Sequence, residues 1–308
     1  MRYHSFFTDN YQSKNQYIGN FKDVELYLKR EDLIHPIVSG NKFRKLKYNL
    51  LETKNNAASV LTFGGAFSNH IAATAEACKI LGLKSIGLIR GEELGEKLDQ
   101  TLANNPTLRY AHNKGMQLHF VSRTDYRLKE KLPLINTLKE KYPALVCLPE
   151  GGTNELAIKG CKEILNSTDD FDVICTSAGT GGTLAGLIEA STPSQHCIGF
   201  SALKGDFLEK DIRRWTSKPN WSLETQYHFG GYAKVNSELI EFINTFHATH
   251  KIPLDPIYTG KMLYGIFDKI QAGHFPKNTR ILAIHTGGLQ GIEGINALLK
   301  QKGLSTIS

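Results

Sequence analysis

"VICTSAGTGGTLAGLIEA", residues 173–190, decides the fold class of this 308-residue chain. It opens as an apolar, β-branched run of strand length that ends at Cys175 or Thr176. A turn rich in Gly and Thr follows, and the pattern from Gly182 predicts a helix to Ala190. A strand, a tight glycine turn and a helix make the repeating unit of α/β proteins. Glycines let the backbone close round a ligand, and the N–H groups of a helix start, with the helix dipole, form an anion site. Walker A is excluded because no Gly-Lys-Ser/Thr follows. The Rossmann fingerprint fails too, since counting GxGxxG from Gly179 puts Leu184 at the third glycine. A single phosphate monoester suits the turn; a bare turn holding nothing is the alternative.

The same alternation extends outward in both directions. Apolar runs start at Val24 (VELYLK), Ser59 (SVLTF), Ser85 (SIGLI), Gln117 (QLHFV), Ala144 (ALVCL), Phe171 (FDVICT), Cys197 (CIGFSAL) and Arg280 (RILAIHT). Helical patterns lie between them at 42–53, 69–81, 126–141, 154–166, 182–190, 237–250, 261–272 and 288–300. The spacing predicts an α/β fold of open, twisted, mainly parallel sheets with helices on both faces. No linker, internal repeat or low-complexity segment marks a boundary. Residues 51–150 contain four strand-helix units and can form a smaller inserted domain. Residues 1–50 and 151–308 would then form a larger cofactor-binding domain, with an active site in the cleft between the two.

The net charge of +7 is scattered, with no like-charge block or Arg-rich arm, so a nucleic-acid partner is not expected. No apolar run approaches a membrane span, and "MRYHSFFTDNYQSK" lacks the apolar stretch of a signal peptide; a cytoplasmic location is expected. The five cysteines show no CxxC spacing and lie in apolar contexts, as reduced structural thiols do; no metal site is expected.

Two more glycine turns repeat the first one's logic. In "LTFGGAFSNHIAATAEACKILG" a strand ends at Phe63, and Ser68, Asn69 and His70 open an alanine-rich helix. Their polar groups can grip a carboxylate, or Ser68 or Asn69 can serve only as the cap. In "RILAIHTGGLQGIEG" a strand ends at His285 and Thr286-Gly287-Gly288 lets something flat approach closely. A fourth stretch, "IVSGNKFRKLKYNLLE" from Ile37, puts Lys42, Arg44, Lys45 and Lys47 at a helix start, where the dipole disfavours cations. A lysine, a phosphate cup, a carboxylate cup and a third turn together suit pyridoxal phosphate and an amino acid.

At the level of whole motifs the chain resembles the pyridoxal-phosphate enzymes of the tryptophan-synthase β-subunit fold, fold type II. Within that fold it is similar to the D-cysteine desulfhydrase and 1-aminocyclopropane-1-carboxylate (ACC) deaminase family. The likeness runs from about Val24 to Gly291, on "LKREDLIHPIVSGNKFRKL", "GGAFSNH", "SAGTGGTLAGL", "FGGYAK", "YTGKMLYG" and "HTGGLQG". It implies pyridoxal 5'-phosphate held through Lys42, with Asn69 on its ring hydroxyl. Gly179, Thr180, Gly181, Gly182 and Thr183 would hold its phosphate, and Thr286 would face its pyridine nitrogen. The substrate carboxylate would meet Ser68, Asn69 and His70. Tyr232 and Tyr258 match two active-site tyrosines, so the implied catalytic set is Lys42, Ser68, Tyr232 and Tyr258.

Two positions separate the family's branches. ACC deaminases typically carry glutamate where this chain has Thr259, and leucine where it has Thr286. Both threonines, and His70 in place of glutamine, match the desulfhydrase branch. Ala66-Phe67 departs from the Ile-Gln usual in both. The resemblance thus implies a lyase that performs α,β-elimination on a small D-amino acid such as D-cysteine. Pyruvate, ammonia and sulfide would be released. Rival readings are the ACC deaminase (a hydrolase by class), a racemase or dehydratase, and a binder of pyridoxal phosphate or an amino acid without turnover. A homodimer is the family expectation.

Overall fold

The computed structural model describes residues 5–8, 11–55, 58–142 and 144–308. Two compact units emerge: residues 1–11 with 42–157, and residues 12–41 with 158–308.

The larger unit is built on a six-stranded sheet in the order β1-β2-β10-β7-β8-β9. Its strands are β1 (Asn15–Phe21), β2 (Val24–Lys29), β7 (Val173–Ala178), β8 (His196–Ser201), β9 (Trp221–Glu224) and β10 (Arg280–Ile284). Only β1, at one edge, runs antiparallel to its neighbour, with a register shift between Tyr17 and Gly19. Alternation along the central strands explains why both faces are covered. Val173, Cys175, Ile281 and Ala283 point to one face, against Leu239 and Ile243, Met262 and Ile266, and Ile295 and Leu299 of the helices Ser237–His250, Thr259–Gln271 and Gly291–Gln301. Ile174, Leu282 and Ile284 point to the other, against Leu184 and Leu187 of Gly182–Ala190 and Leu208 and Ile212 of Phe207–Arg213.

The smaller unit carries β3 (Ser59–Gly64), β4 (Lys84–Arg90), β5 (Gln117–Val121) and β6 (Leu145–Leu148), all parallel, in the order β5-β4-β3-β6. Leu61, Phe63, Ile86 and Leu88 pack with Ile135 and Leu138 of the helix Pro133–Lys141. Ile89 packs with Ile71 and Ala75 of Asn69–Leu81 and with Leu108 and Ala111 of Pro106–Asn113.

Both sheets are therefore α/β and mainly parallel, as the alternation predicts, and all eight expected strands are present. The differences are local. The expected helix 126–141 is broken: Arg123–Tyr126 and a 3-10 turn at Lys129–Lys131 precede a new helix that starts at Pro133. A proline lacks the N–H that an interior helical position needs, so it opens a helix here. Edge strands β1 and β9 and the helices within 93–113 and at 207–213 were not expected. The unit boundaries also fall elsewhere than 50 and 151. The helix Asn41–Asn55 counts from Lys42 with the smaller unit, because Lys45 Nζ donates to Gly151 O (3.1 Å) and Thr153 Oγ1 (2.9 Å), and Asn49 bonds Asn154. No helix among the described residues is long and apolar enough to cross a membrane. All five cysteines are free thiols, and Cys147 alone of them is not fully buried.

Candidate active site

The four cations at the start of Asn41–Asn55 divide by role. Arg44 and Lys45 are each only 3% exposed and clamp backbone: Arg44 Nη2 donates to Tyr11 O at 2.7 Å, and Lys45 ties the 151–153 segment. Their charge is met by two carbonyls and the Thr153 hydroxyl, which offsets the unfavourable dipole. Lys42 is half-buried on the first turn of the same helix.

In the smaller unit, β3 ends in Gly64 and the helix Asn69–Leu81 begins five residues later. Ser68 is its N-cap, and its Oγ accepts from the Ile71 N–H at 3.4 Å, which leaves the hydroxyl proton free to donate elsewhere. Asn69 Oδ1 is buried and has no hydrogen-bond partner. A buried acceptor left unpaired costs about 1–3 kcal/mol, so this atom is suited to a ligand's donor.

His70 does not face outward with its two neighbours. It is 2% exposed, and its Nε2 lies 2.8 Å from Thr62 Oγ1, whose own proton goes to Leu148 O. Thr62 must therefore accept, so Nε2 carries the imidazole proton and Nδ1 is a bare acceptor. Burial first, then the charges of Lys42 and Lys45, holds His70 well below its ordinary pKa. A neutral ring with that tautomer offers no N–H on its second nitrogen. Nothing in this geometry gives His70 the carboxylate-binding role expected of it. It braces the turn from beneath instead, close enough to Gly152 that a Cβ there would lie 2.8 Å from His70 Cε1.

In the larger unit, β7 leads into the helix Gly182–Ala190 through Gly179, Thr180 and Gly181. Gly181 is the N-cap, at φ 78°, and offers no side chain to the N-terminal N–H groups. Those groups are thus available to an anion. The Gly181 Cβ direction points to Ile212 Cγ1 at 2.7 Å, into the core and not into the turn. Thr183 Oγ1 accepts from Asn41 Nδ2 at 2.9 Å, which ties the residue preceding Lys42 to this helix start.

Thr286 follows β10 and is 6% exposed; its hydroxyl lies 3.2 Å from Ser177 Oγ at the end of β7. Gly287, at φ 76°, and Gly40, at φ 58°, let the 39–41 and 286–288 segments pack backbone to backbone, with Asn41 N donating to Thr286 O at 3.3 Å. The Tyr258 ring lies over Gly179, where a Cβ would sit 3.1 Å from Tyr258 Cε1. The half-exposed Tyr232 ring meets Tyr258 edge-on, with centroids 6.3 Å apart. Thr259 is fully buried at the start of its helix, its N–H taken by Asp255 Oδ2 at 2.8 Å.

Several supporting residues were not anticipated. Asn41, Ser177 and Thr62 each orient an expected residue. Asp255 holds the Ile257, Tyr258 and Thr259 N–H groups. Lys261 Nζ donates to His228 O and Gly231 O, both at 2.9 Å, fixing the loop that carries Tyr232. Burial pulls the Lys261 ammonium down to about 8, with Asp255 opposing. Asp255, three residues before Tyr258, carries a cap signal visible in the sequence; the other contacts join residues too distant in the chain to have one.

A profile of pyridoxal-phosphate dependent enzymes matches residues 16–287. The chain belongs to this family. A mitochondrial bifunctional D-cysteine desulfhydrase/1-aminocyclopropane-1-carboxylate deaminase of Arabidopsis thaliana is 33% identical, over 87% of this chain and 73% of its own length. A Pyrococcus horikoshii protein provisionally named 1-aminocyclopropane-1-carboxylate deaminase is 31% identical, over 90% of this chain and 89% of its own. The crystal structure of an ACC deaminase homologue superposes with a TM-score of 0.76 at 28% identity, covering 94% of both chains. The fold is type II of the pyridoxal-phosphate enzymes, and pyridoxal 5'-phosphate is the cofactor.

The residues present suit that cofactor. Its phosphate would need uncapped N–H groups, which the Gly181 cap leaves without a side-chain partner, and its ring hydroxyl would need an acceptor, for which the unpaired Asn69 Oδ1 is available. No cluster of three or more metal-ligating side chains exists among the described residues.

Proposed function

We propose that the protein eliminates the β-substituent of a small D-amino acid such as D-cysteine, yielding pyruvate, ammonia and sulfide with the uptake of one water. The observation that carries this reading is the neutral pair Thr286–Ser177 at the end of β10. The Thr286 hydroxyl matches the desulfhydrase pattern, where the deaminase pattern has leucine, and Thr259 stands where the deaminase pattern has glutamate. Bound pyridoxal phosphate supplies the electron sink that makes the α-proton of an amino acid acidic.

The chain's own residues do the rest in this reading. Lys42 would hold the cofactor, and its Nζ would take the Cα proton of the substrate. Gly179 to Thr183 hold the phosphate through backbone N–H groups, and Asn69 orients the ring. Ser68 donates to the substrate carboxylate. Tyr258, positioned by Asp255 and packed over Gly179, gives a proton to the leaving sulfur, with Tyr232 as its neighbour.

ACC deamination is the second reading, because both activities occur in the names of the relatives. Incubation of the holoenzyme with D-cysteine and with ACC separates them. Pyruvate and sulfide from D-cysteine, with little 2-oxobutanoate from ACC, is the expected result. Efficient ACC turnover without sulfide release from D-cysteine would overturn the branch assignment and leave the fold and cofactor intact.

A further inference from the structure

The carboxyl ends of all four strands of the smaller unit converge on a second feature. A pocket of about 620 Å³ lies there, floored by Gly65 to Phe67, the residues that lead from β3 to Ser68. Arg90 enters it from the last position of β4, Arg123 from just beyond β5, and Glu150 from just beyond β6. In open parallel sheets the crevice outside the carboxyl ends is where ligands bind, at the point where strand order reverses. Here the order β5-β4-β3-β6 reverses at β3, whose exit forms the pocket floor.

The charges are not balanced within the pocket. Four cations line it against two carboxylates. Glu150 is fully engaged, by Lys129 Nζ at 2.6 Å and by the Tyr126 hydroxyl at 2.7 Å. Glu93 has Arg123 at 3.7 Å. Arg90 and Arg127 remain: among the described residues neither guanidinium has a carboxylate partner or a hydrogen bond. Arg90 makes only a stacking contact, 5.7 Å from the centroid of the Tyr126 ring. Two unpaired guanidinium groups in one concave site present a planar donor fork to an oxyanion, and the pairing is bidentate. Phe67, 38% exposed at the floor, offers an apolar surface beside them.

We infer that this pocket binds the oxyanion of a small organic acid, with Arg90 and Arg127 as its donors. The anion has two sources. It is the acidic far end of the substrate's own β-substituent, reaching over Gly65 to Phe67 from the Ser68 side, or a separate small acid bound next to the substrate turn. The first source rests on the elimination proposed above; the second does not.

Two measurements on the holoenzyme decide the matter, each with the parent, Arg90→Gln and Arg127→Gln. The first compares turnover of S-carboxymethyl-D-cysteine with that of the neutral S-methyl-D-cysteine. The second titrates succinate calorimetrically at constant ionic strength. A KM for the carboxymethyl substrate raised about tenfold in both variants, with kcat and the S-methyl KM unchanged, assigns the anion to the substrate. Unchanged KM values, together with succinate binding that both variants lose, assign it to a separate acid. Succinate binding also stands alone if neither thioether is turned over, so failure of the elimination reading is distinguishable. No succinate binding by the parent, together with KM values indifferent to both substitutions, would overturn the inference.

Discussion

The turns after β3 and β7 look alike in sequence, each a strand, a pair of glycines and a small-residue helix, yet they are built in opposite ways. After β7 the cap is Gly181, with no side chain, and backbone N–H groups are what the turn presents. After β3 the cap is Ser68, which uses one of those N–H groups, and side chains are what the turn presents: the Ser68 hydroxyl and the unpaired Asn69 Oδ1. A backbone cradle suits a phosphate, whose charge is large and nearly isotropic. Directed side chains suit groups that must be oriented, such as a ring hydroxyl or a carboxylate. Two similar sequence patterns thus present different groups, backbone N–H at one turn and side-chain atoms at the other.

Glycine substitution is the harshest way to break this comparison. Gly181→Ala forces a Cβ into a left-handed conformation and against Ile212, at a combined cost of about 2–4 kcal/mol. Gly65→Ala meets nothing nearer than Arg90 Nη2 at 3.6 Å and should cost less than about 0.5 kcal/mol. Urea denaturation of the two variants checks the contrast, and equal losses would show that the turns are not different in kind. For the same reason Gly181→Asp is a poor probe of the phosphate site itself, since its side chain would enter the core.

The two asparagines sharpen the contrast at intermediate cost. Asn69→Ala removes an acceptor that satisfies nothing within the protein. It should leave the apoenzyme at least as stable as the parent and weaken cofactor binding about 10- to 100-fold, the equivalent of ~1–3 kcal/mol. Asn41→Ala breaks an internal bond to Thr183 and should lower apoenzyme stability by about 1 kcal/mol. Chemical denaturation of the apoenzymes and cofactor titration separate the two; an apoenzyme destabilised by Asn69→Ala would mean that its oxygen has an internal partner.

Legibility in the sequence followed burial. The central strands, apolar on both faces, were readable as runs, and Asn69–Leu81, Gly182–Ala190 and Ser237–His250 were readable to the residue. Strand β1, "NQYIGNF", is a polar edge strand with a register shift, and β9 is four half-buried residues. Neither has the apolar periodicity that reveals a strand. As candidate site residues, Lys42, Gly179 to Thr183 and Thr286 stand out from local motifs alone. The direction of His70 does not: only the packing of β3 against β6, which brings Thr62 opposite Leu148, turns the imidazole inward.

That inward turn has the smallest and most specific signature. A buried imidazole with a lowered pKa binds fewer protons folded than unfolded, so its contribution is intact above the unfolded value near ~6.5 and is lost as pH falls below it. His70→Gln keeps a donor for Thr62 but cannot titrate. The stability difference between parent and variant should therefore be constant above pH ~6.5 and shrink below it by up to about 1.4 kcal/mol per pH unit. Urea melts from pH 5 to 8 check this, and a pH-independent difference would contradict a neutral, buried His70.

Lys42 is the lysine proposed to carry the cofactor. Reduction of the holoenzyme with borohydride fixes the cofactor to whichever lysine bears it, and peptide mapping then names that lysine. The adduct is predicted on the peptide containing Lys42, with Lys42→Ala giving no adduct and no turnover. An adduct on Lys45, Lys261 or any other lysine would contradict the account.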